Sequence, residues 1–110
     1  MDEDQLQISI VYSLTAVDEL DEIWDWNLKN NGFDQAVAYR KFLLSEIESL
    51  QQDPKRGVPL EADPNLRFLL IKWSANGHGH VAVYRFAEVS STITIAHIFH
   101  TRQNWRTKLN

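Results

Sequence analysis

The last third of the chain contains two β-type segments that are close enough in sequence to form a hairpin. The first, HVAVYRF, spans residues 80–86, and the second, ITIAHIFHTR, spans residues 93–102. β-branched and aromatic residues dominate both segments, and a short polar stretch separates them, which is typical of neighbouring antiparallel strands. Four basic or histidine side chains interrupt the apolar ones: Arg85, His97, His100 and Arg102. A purely structural hairpin does not need these side chains together, so we predict a functional site here.

The preceding residues predict one further strand at each end of a helical hairpin. Residues 6–12 alternate in polarity, and residues 66–73 are largely apolar, so both segments are predicted strands. Between them apolar residues recur at helical spacing, first after a predicted N-cap at Thr15 and again after Asp34, with Asn31–Gly32 between the two helices. The predicted fold is α+β, in the order β-α-α-β-β-β, with an antiparallel sheet packed against the helical hairpin.

Composition limits the class of protein to which the chain belongs. Its 110 residues suit one domain, which we assign to residues 1–110. The absence of Cys excludes disulfides and thiolate chemistry. No apolar run is long enough for a membrane span, and the acidic N-terminus does not resemble a secretory signal. We therefore expect a cytoplasmic protein with no membrane partner.

Charge is distributed unevenly along the sequence. Residues 1–26 contain eight acids and no Lys or Arg, whereas residues 65–110 contain six basic residues and one acid, a balance of +5. The net charge of −4 opposes the strong basic footprint that is typical of nucleic-acid binding. Direct binding to nucleic acid is therefore not expected.

Several side chains have a chemical and a structural interpretation. Arg67 and Arg85 could join His100 and Arg102 in a cationic patch, or they could pair with the acidic first helix. His100 could be a general acid or base with Glu61 or Glu88, but we favour a half-buried histidine at a strand end.

The remaining candidates are histidines near a predicted turn and an exposed tryptophan. Asn76–Gly77 predicts a hairpin turn. His78 and His80 could ligate a metal with His97, but no spacing supports that set, so neither metal nor cofactor is predicted. Trp26 lies off the apolar stripe of the first helix, where exposed aromatics commonly anchor partners.

Four groups of residues carry a family resemblance that covers nearly the whole chain. They are AVDELDEIW at 16–24, GVP at 57–59 followed by LR at 66–67, HVAVYRF at 80–86, and IAHIFHTR at 95–102. As an ordered set they resemble the ParE/RelE superfamily of toxins from bacterial type II toxin–antitoxin modules. The order of the predicted elements is similar to that of the superfamily, and the set looks most like its ParE branch of plasmid stabilisation proteins.

Two activities occur in this superfamily, and one position distinguishes them. RelE-like toxins cut mRNA on the ribosome and use an Arg two or three residues before the central Tyr. The residues before Tyr84 are Val81, Ala82 and Val83, so that Arg is absent. The resemblance therefore implies a ParE-like inhibitor of DNA gyrase, neutralised by a cognate antitoxin, and not an enzyme. The alternatives are a RelE-like ribosome-dependent mRNA endonuclease and a degenerate, non-toxic protein that only binds antitoxin.

The resemblance also implies two sets of site residues, neither of them catalytic. The candidate functional surface comprises Arg67, Tyr84, Arg85, His97, His100, Arg102 and Trp105. In this set, His97 replaces an Arg that is frequent in the family. The candidate antitoxin-binding residues are Leu20, Trp24, Trp26 and Phe42.

Overall fold

The chain folds into a helical hairpin that packs on a five-stranded sheet. The structure, a computed structural model, describes residues 7–73, 77 and 79–109. The predicted turn residue Asn76 lies outside these residues. In chain order the elements are β1 (Ser9–Tyr12), α1 (Leu14–Asn31), α2 (Phe33–Glu48), a 3-10 helix (Ser49–Gln51), β2 (Val58–Pro59), β3 (Leu66–Lys72), β4 (Gly79–Ala87), β5 (Thr92–His100) and a second 3-10 helix (Trp105–Leu109).

The fold class and the order of the main elements agree with the sequence prediction, but the sheet is mixed. Its strands lie in the order β1-β5-β4-β3-β2, and β1 runs parallel to its neighbour β5 while the other pairs are antiparallel. The first strand thus pairs with the last one, which periodicity within either segment cannot predict. β2 is an added edge strand, in a segment that shows no period-two pattern.

A β-bulge at Ala96 changes which side chains of β5 face the helices. Val83 is opposite His97, but the next residue, Tyr84, is opposite Ile95, so Ala96 has no partner in β4. An extra residue reverses the inside–outside alternation beyond it. Before the bulge Ile95 packs towards the helices, whereas after it Ile98 does so.

The capping residues of the helices differ from those predicted. Ser13, and not Thr15, is the N-cap of α1, and its side chain accepts a hydrogen bond from the Ala16 amide at 3.0 Å. Gly32, at φ +89°, separates the two helices and donates its amide to the Leu28 carbonyl. Only one residue joins the helices, so Asp34 lies in the first turn of α2 instead of capping it.

Apolar cores cover both faces of the sheet. The first core lies between helices and sheet and includes Leu43, Ile47, Tyr84 and other buried residues. The second core lies on the opposite face, where Trp105 of the C-terminal 3-10 helix packs with Val81, Val83, Phe99 and Leu60. Among the described residues, no helix is long and apolar enough to cross a membrane.

Candidate protein-binding groove

A groove of about 530 Å³ lies between α1, α2 and one end of the sheet. We define this groove by α1 residues on one wall, β4 and β5 residues on the other, Tyr39 of α2, and the turn after β5. Its lining comprises Glu19, Glu22, Ile23, Trp26, Asn27, Tyr39, Gly79, His80, Ile98, His100, Arg102 and Gln103. Its size and its mixture of aromatic and polar side chains are typical of a binding site.

Five rings form a continuous aromatic row from the outer surface of α2 into the groove: Phe42, Trp73, Tyr39, His80 and His100. The ring centroids of Tyr39 and Trp73 lie 5.4 Å apart and nearly parallel, and Phe42 lies 5.2 Å from Trp73. His80 lies 5.5 Å from Tyr39 and 5.1 Å from His100, in a T-shaped arrangement with the latter. Trp73 remains 47% exposed, so the row ends in an accessible aromatic surface.

His80 is a neutral, buried histidine at the base of the groove. The Tyr39 hydroxyl lies 2.6 Å from its Nδ1. Burial, reinforced by the charge of neighbouring His100, lowers the pKa of His80 to about 4, and burial raises the pKa of Tyr39 to about 12. Both groups are therefore uncharged at neutral pH. When the Tyr39 hydroxyl donates to Nδ1, the ring proton of His80 is on Nε2.

Glu19 forms part of the groove wall but holds α1 to β5. Beyond Ile95, β5 no longer pairs with β1, and side chains of α1 and its cap bond the strand edge instead. The Ile98 amide donates to Oε1 of Glu19 at 2.7 Å, and the Ser13 hydroxyl donates to the Ala96 carbonyl at 2.8 Å. Nδ1 of His97 lies 3.4 Å from Oε2 of Glu19. The Glu19 carboxylate is thus occupied by contacts within the chain.

The candidate functional surface divides between opposite ends of the sheet. Strand pairing places Arg85 beside Leu66 and His100 beside His80. His80 and Arg85 are five positions apart in β4, so the two groups lie about 16 Å apart along the strand. Of the candidate surface, His100 and Arg102 line the groove, whereas Arg67, Tyr84 and Arg85 lie at the other end.

Neither arginine at that other end pairs with the acidic first helix. Nη1 of Arg67 donates to the carbonyls of Gly57 and Lys55, at 2.7 and 3.0 Å. Arg85 forms an exposed ion pair with Asp63 at 3.7 Å. Of the two alternatives for these arginines, pairing with α1 is therefore not the one that the structure shows.

Glu88 also lies at the far end of the hairpin from His100. It follows the Ala87–Thr92 pair of β4 and β5 and binds Lys55 at 2.8 Å. It is therefore not a partner for proton transfer with His100.

Three of the predicted site residues are buried, so their side chains do not form an open surface. Tyr84 is 0% exposed, and Leu20 belongs to the first core. Trp105 packs 5.2 Å from Phe68 in the second core, and the guanidinium of Arg106 lies over its exposed side at 4.4 Å. Trp105 thus fastens the C-terminal segment to the sheet instead of forming part of an open surface.

The other antitoxin-binding candidates differ in accessibility. Trp26 is 61% exposed and lines the groove, in agreement with its position off the apolar stripe. Trp24 is half-buried and makes an edge contact with Phe33, and Phe42 is a half-buried member of the aromatic row. The sequence reasoning missed Tyr39, which lies three residues before Phe42 and hence on the same helix face.

The histidines considered as metal ligands do not form a metal site in the described part of the chain. His78 lies outside it, and His80 is bonded to Tyr39. Among the described residues, no group of three or more His, Cys, Asp or Glu side chains could hold a metal ion. The lining of the groove presents aromatic surface at Trp26 and Tyr39 and charge at Glu22 and Arg102, which suits binding to a protein.

Comparisons with known proteins agree with this architecture. The family model described as ParE toxin of type II toxin–antitoxin system, parDE, matches residues 10–105. Toxin ParE1 of Caulobacter vibrioides is 31% identical over 97 residues, which cover 88% of this chain and 93% of that toxin.

Two solved structures share the fold. One, from the chromosomal ParDE toxin–antitoxin system of P. aeruginosa, has a TM-score of 0.69 at 21% identity and covers 86% of this chain and 96% of that chain. The other, from the toxin–antitoxin complex RelBE2 of Mycobacterium tuberculosis, has a TM-score of 0.55 at 18% identity and covers 86% of this chain and 99% of that chain. Together with the family match, these findings show that the chain belongs to the ParE toxin family of type II toxin–antitoxin systems.

Proposed function

We propose that this toxin inhibits DNA gyrase and is neutralised by a cognate antitoxin that binds in the groove. The observation that carries the choice of target is the burial of Val81 and Ala82, the positions three and two residues before Tyr84, where a ribosome-dependent nuclease of the superfamily would need Arg. Val81 lies in the second core and Ala82 in the first, 2% and 0% exposed.

Burial of these positions argues against RNA cleavage on physical grounds. A nuclease must stabilise the negative charge that develops on the scissile phosphate, and preorganised cations provide that stabilisation. Here Val81 packs with Phe99 and Trp105 in the second core, and Ala82 is buried in the first core, so neither position faces solvent. A cation at either position would be buried without a partner, which is strongly destabilising. The sheet is therefore built for packing where a nuclease would hold its substrate.

The surface of the groove supports a protein partner. Trp26, 61% exposed, lines the groove with Tyr39, and Trp73, 47% exposed, stacks on Tyr39. Exposed aromatic residues around a concave surface are typical anchors for a partner segment. The solved relatives from P. aeruginosa and M. tuberculosis come from toxin–antitoxin systems, which is consistent with an antitoxin here.

The experiment combines a gyrase assay with a ribosome assay. Purified toxin is added to gyrase-catalysed supercoiling of relaxed plasmid, and in parallel to translating ribosomes whose mRNA is mapped by primer extension. We expect loss of supercoiling and no cuts at codon positions. Normal supercoiling, or codon-positioned cuts, would overturn the gyrase assignment.

The antitoxin is tested separately, with the product of the small reading frame beside the toxin gene. Co-expression should restore growth, and the purified product should form a stable complex with the toxin. Continued growth arrest with no complex would reject this antitoxin assignment without bearing on gyrase.

A further inference from the structure

The groove carries opposite charges on its two sides. Glu22 of α1 lies on one side, and Arg102, in the turn after β5, lies on the other. Within residues 7–73, 77 and 79–109, neither side chain forms an ion pair with another residue. Arg102 is exposed, and it is its backbone amide, not its guanidinium, that bonds Nδ1 of His100.

The other polar groups of the groove wall are less available. Glu19 accepts hydrogen bonds from Ile98 and lies beside His97, and His80 is bonded to Tyr39. A ligand in the groove therefore meets apolar surface at Ile23 and Trp26, with Glu22 and Arg102 as the charged groups that no other described residue pairs.

We infer that the groove selects a partner segment by a bipolar charge pattern: an apolar anchor against Trp26, a carboxylate facing Arg102 and a Lys or Arg facing Glu22. The inference rests on the proposed antitoxin and deepens it, because it fixes which way that segment runs through the groove. Reversing the segment would bring like charges together on both sides. Such complementarity specifies register and suppresses wrong partners.

The choice of a peptide carboxylate follows from the geometry of Arg. A guanidinium binds a carboxylate through two parallel hydrogen bonds, which gives direction as well as affinity. A negatively charged nucleic acid fits less well, because Glu19 and Glu22 line the opposite wall and would repel its phosphates.

The test measures binding of the purified, full-length product of the adjacent reading frame to four toxin variants. Arg102→Gln and Glu22→Gln each remove one groove charge. Arg85→Gln, at the other end of the sheet, and Asp18→Asn, elsewhere on α1, are the matched controls. We expect each groove variant to raise Kd about tenfold, and to flatten the salt dependence of Kd, because a charge-assisted bond is lost. Each control should bind within about twofold of wild type.

The outcomes separate this inference from the function on which it rests. If wild-type toxin binds and both groove variants bind as tightly as the controls, the bipolar pattern is overturned while the antitoxin assignment stands. If wild-type toxin forms no complex, the antitoxin assignment itself fails. A thermal melt of each variant, expected within about 2 °C of wild type, shows that the affinity change does not come from unfolding.

Discussion

At the scale of single residues, Tyr84 shows how a conspicuous polar residue can serve packing. Its hydroxyl accepts a hydrogen bond from the Gly57 amide and donates one to the Pro54 carbonyl, each at 2.8 Å. Burial raises the pKa of the phenol, so it stays protonated at neutral pH and keeps its donor. The two bonds hold the loop between α2 and β2 against the sheet.

Replacing Tyr84 by Phe should therefore destabilise the fold. The Gly57 amide would lose its buried partner, at a cost of about 1–3 kcal/mol in the free energy of unfolding. The matched control is Tyr12→Phe, because among the described residues the Tyr12 hydroxyl makes no hydrogen bond, and its loss should cost under about 0.5 kcal/mol. Urea denaturation measures both. Equal effects would show that the Tyr84 hydroxyl does not hold the loop.

His80 should make stability depend on pH in the acidic range. Its pKa of about 4 in the fold lies below the ordinary value of 6.5, so between these values the unfolded chain binds a proton that the folded chain does not. Stability contributed by neutral His80 is complete above about pH 6.5 and is lost as the pH falls towards 4. The loss approaches ~3 kcal/mol at pH 4, since each unit corresponds to about 1.4 kcal/mol.

The comparison of His80→Asn with His97→Asn isolates this effect. Asn at position 80 can still accept from Tyr39 but does not titrate, so the decline in unfolding free energy between pH 6.5 and 4 should become shallower. His97 is half exposed, and its replacement should leave most of the decline in place. The same slope in wild type and His80→Asn would contradict the assignment.

At the scale of elements, the attachment of α1 to the sheet depends on its cap. The Ser13 hydroxyl accepts from the Ala16 amide and donates to the Ala96 carbonyl, so one side chain both begins the helix and bonds the bulge of β5. About two helical turns further along α1, Glu19 makes a second connection to β5 by accepting a hydrogen bond from the Ile98 amide. The helix thus completes the part of the strand edge that β1 does not reach.

Ser13→Ala should consequently cost more than the same change at Thr15. Loss of an N-cap hydroxyl typically costs about 1–2 kcal/mol, and here the Ala96 carbonyl also loses its donor. Thr15 is exposed in the first turn, where Ala has the higher helix propensity, so Thr15→Ala should be neutral or slightly stabilising. Thermal unfolding of the two variants provides the comparison. A larger loss of stability for Thr15→Ala than for Ser13→Ala would show that Thr15 caps α1, as predicted from the sequence.

These elements also show how far local sequence patterns determine the fold. The two helices follow from periodicity, and the three C-terminal strands follow from their apolar, β-branched and aromatic residues. Gly32 marks the helix connection because its φ of +89° suits glycine. The pairing of β1 with β5 is not local, and neither is the bulge at Ala96. Because the bulge reverses the alternation of β5, spacing counted from Ile93 and Ile95 would have assigned Phe99, and not Ile98, to the side of the helices.

At the scale of the whole molecule, packing on both sheet faces leaves an open groove at one end of the domain. The second core and the C-terminal 3-10 helix cover the face that bears Val81 and Val83. The groove and the aromatic row lie on the other face, at the end of the sheet that bears His80 and His100. Residues close in sequence, such as Tyr84 and His80, therefore lie at different ends of the molecule. For this reason the cluster predicted from sequence proximity included residues that the fold keeps apart.

Two aromatic side chains of the helical hairpin, Trp26 and Phe33, are similarly exposed but differ in their position relative to the groove. Trp26 lines the groove at 61% exposure, whereas Phe33 is 62% exposed and does not line it. If the groove is the docking site, Trp26→Ala should weaken the antitoxin complex by at least about tenfold, because an aromatic anchor at an interface contributes about 2 kcal/mol to the binding free energy. Phe33→Ala should change Kd by less than about threefold, since Phe33 lies outside the site.

Stability distinguishes an anchor from a structural residue in the same pair of variants. Since Trp26 is mostly exposed, Trp26→Ala should shift the free energy of unfolding by under about 0.5 kcal/mol. Phe33→Ala should cost somewhat more, because it removes the edge contact with Trp24 at 6.1 Å. Calorimetric titration of both variants with the purified antitoxin gives the affinities. Equal weakening by the two substitutions would move the docking surface away from the groove and onto the outer face of the helical hairpin.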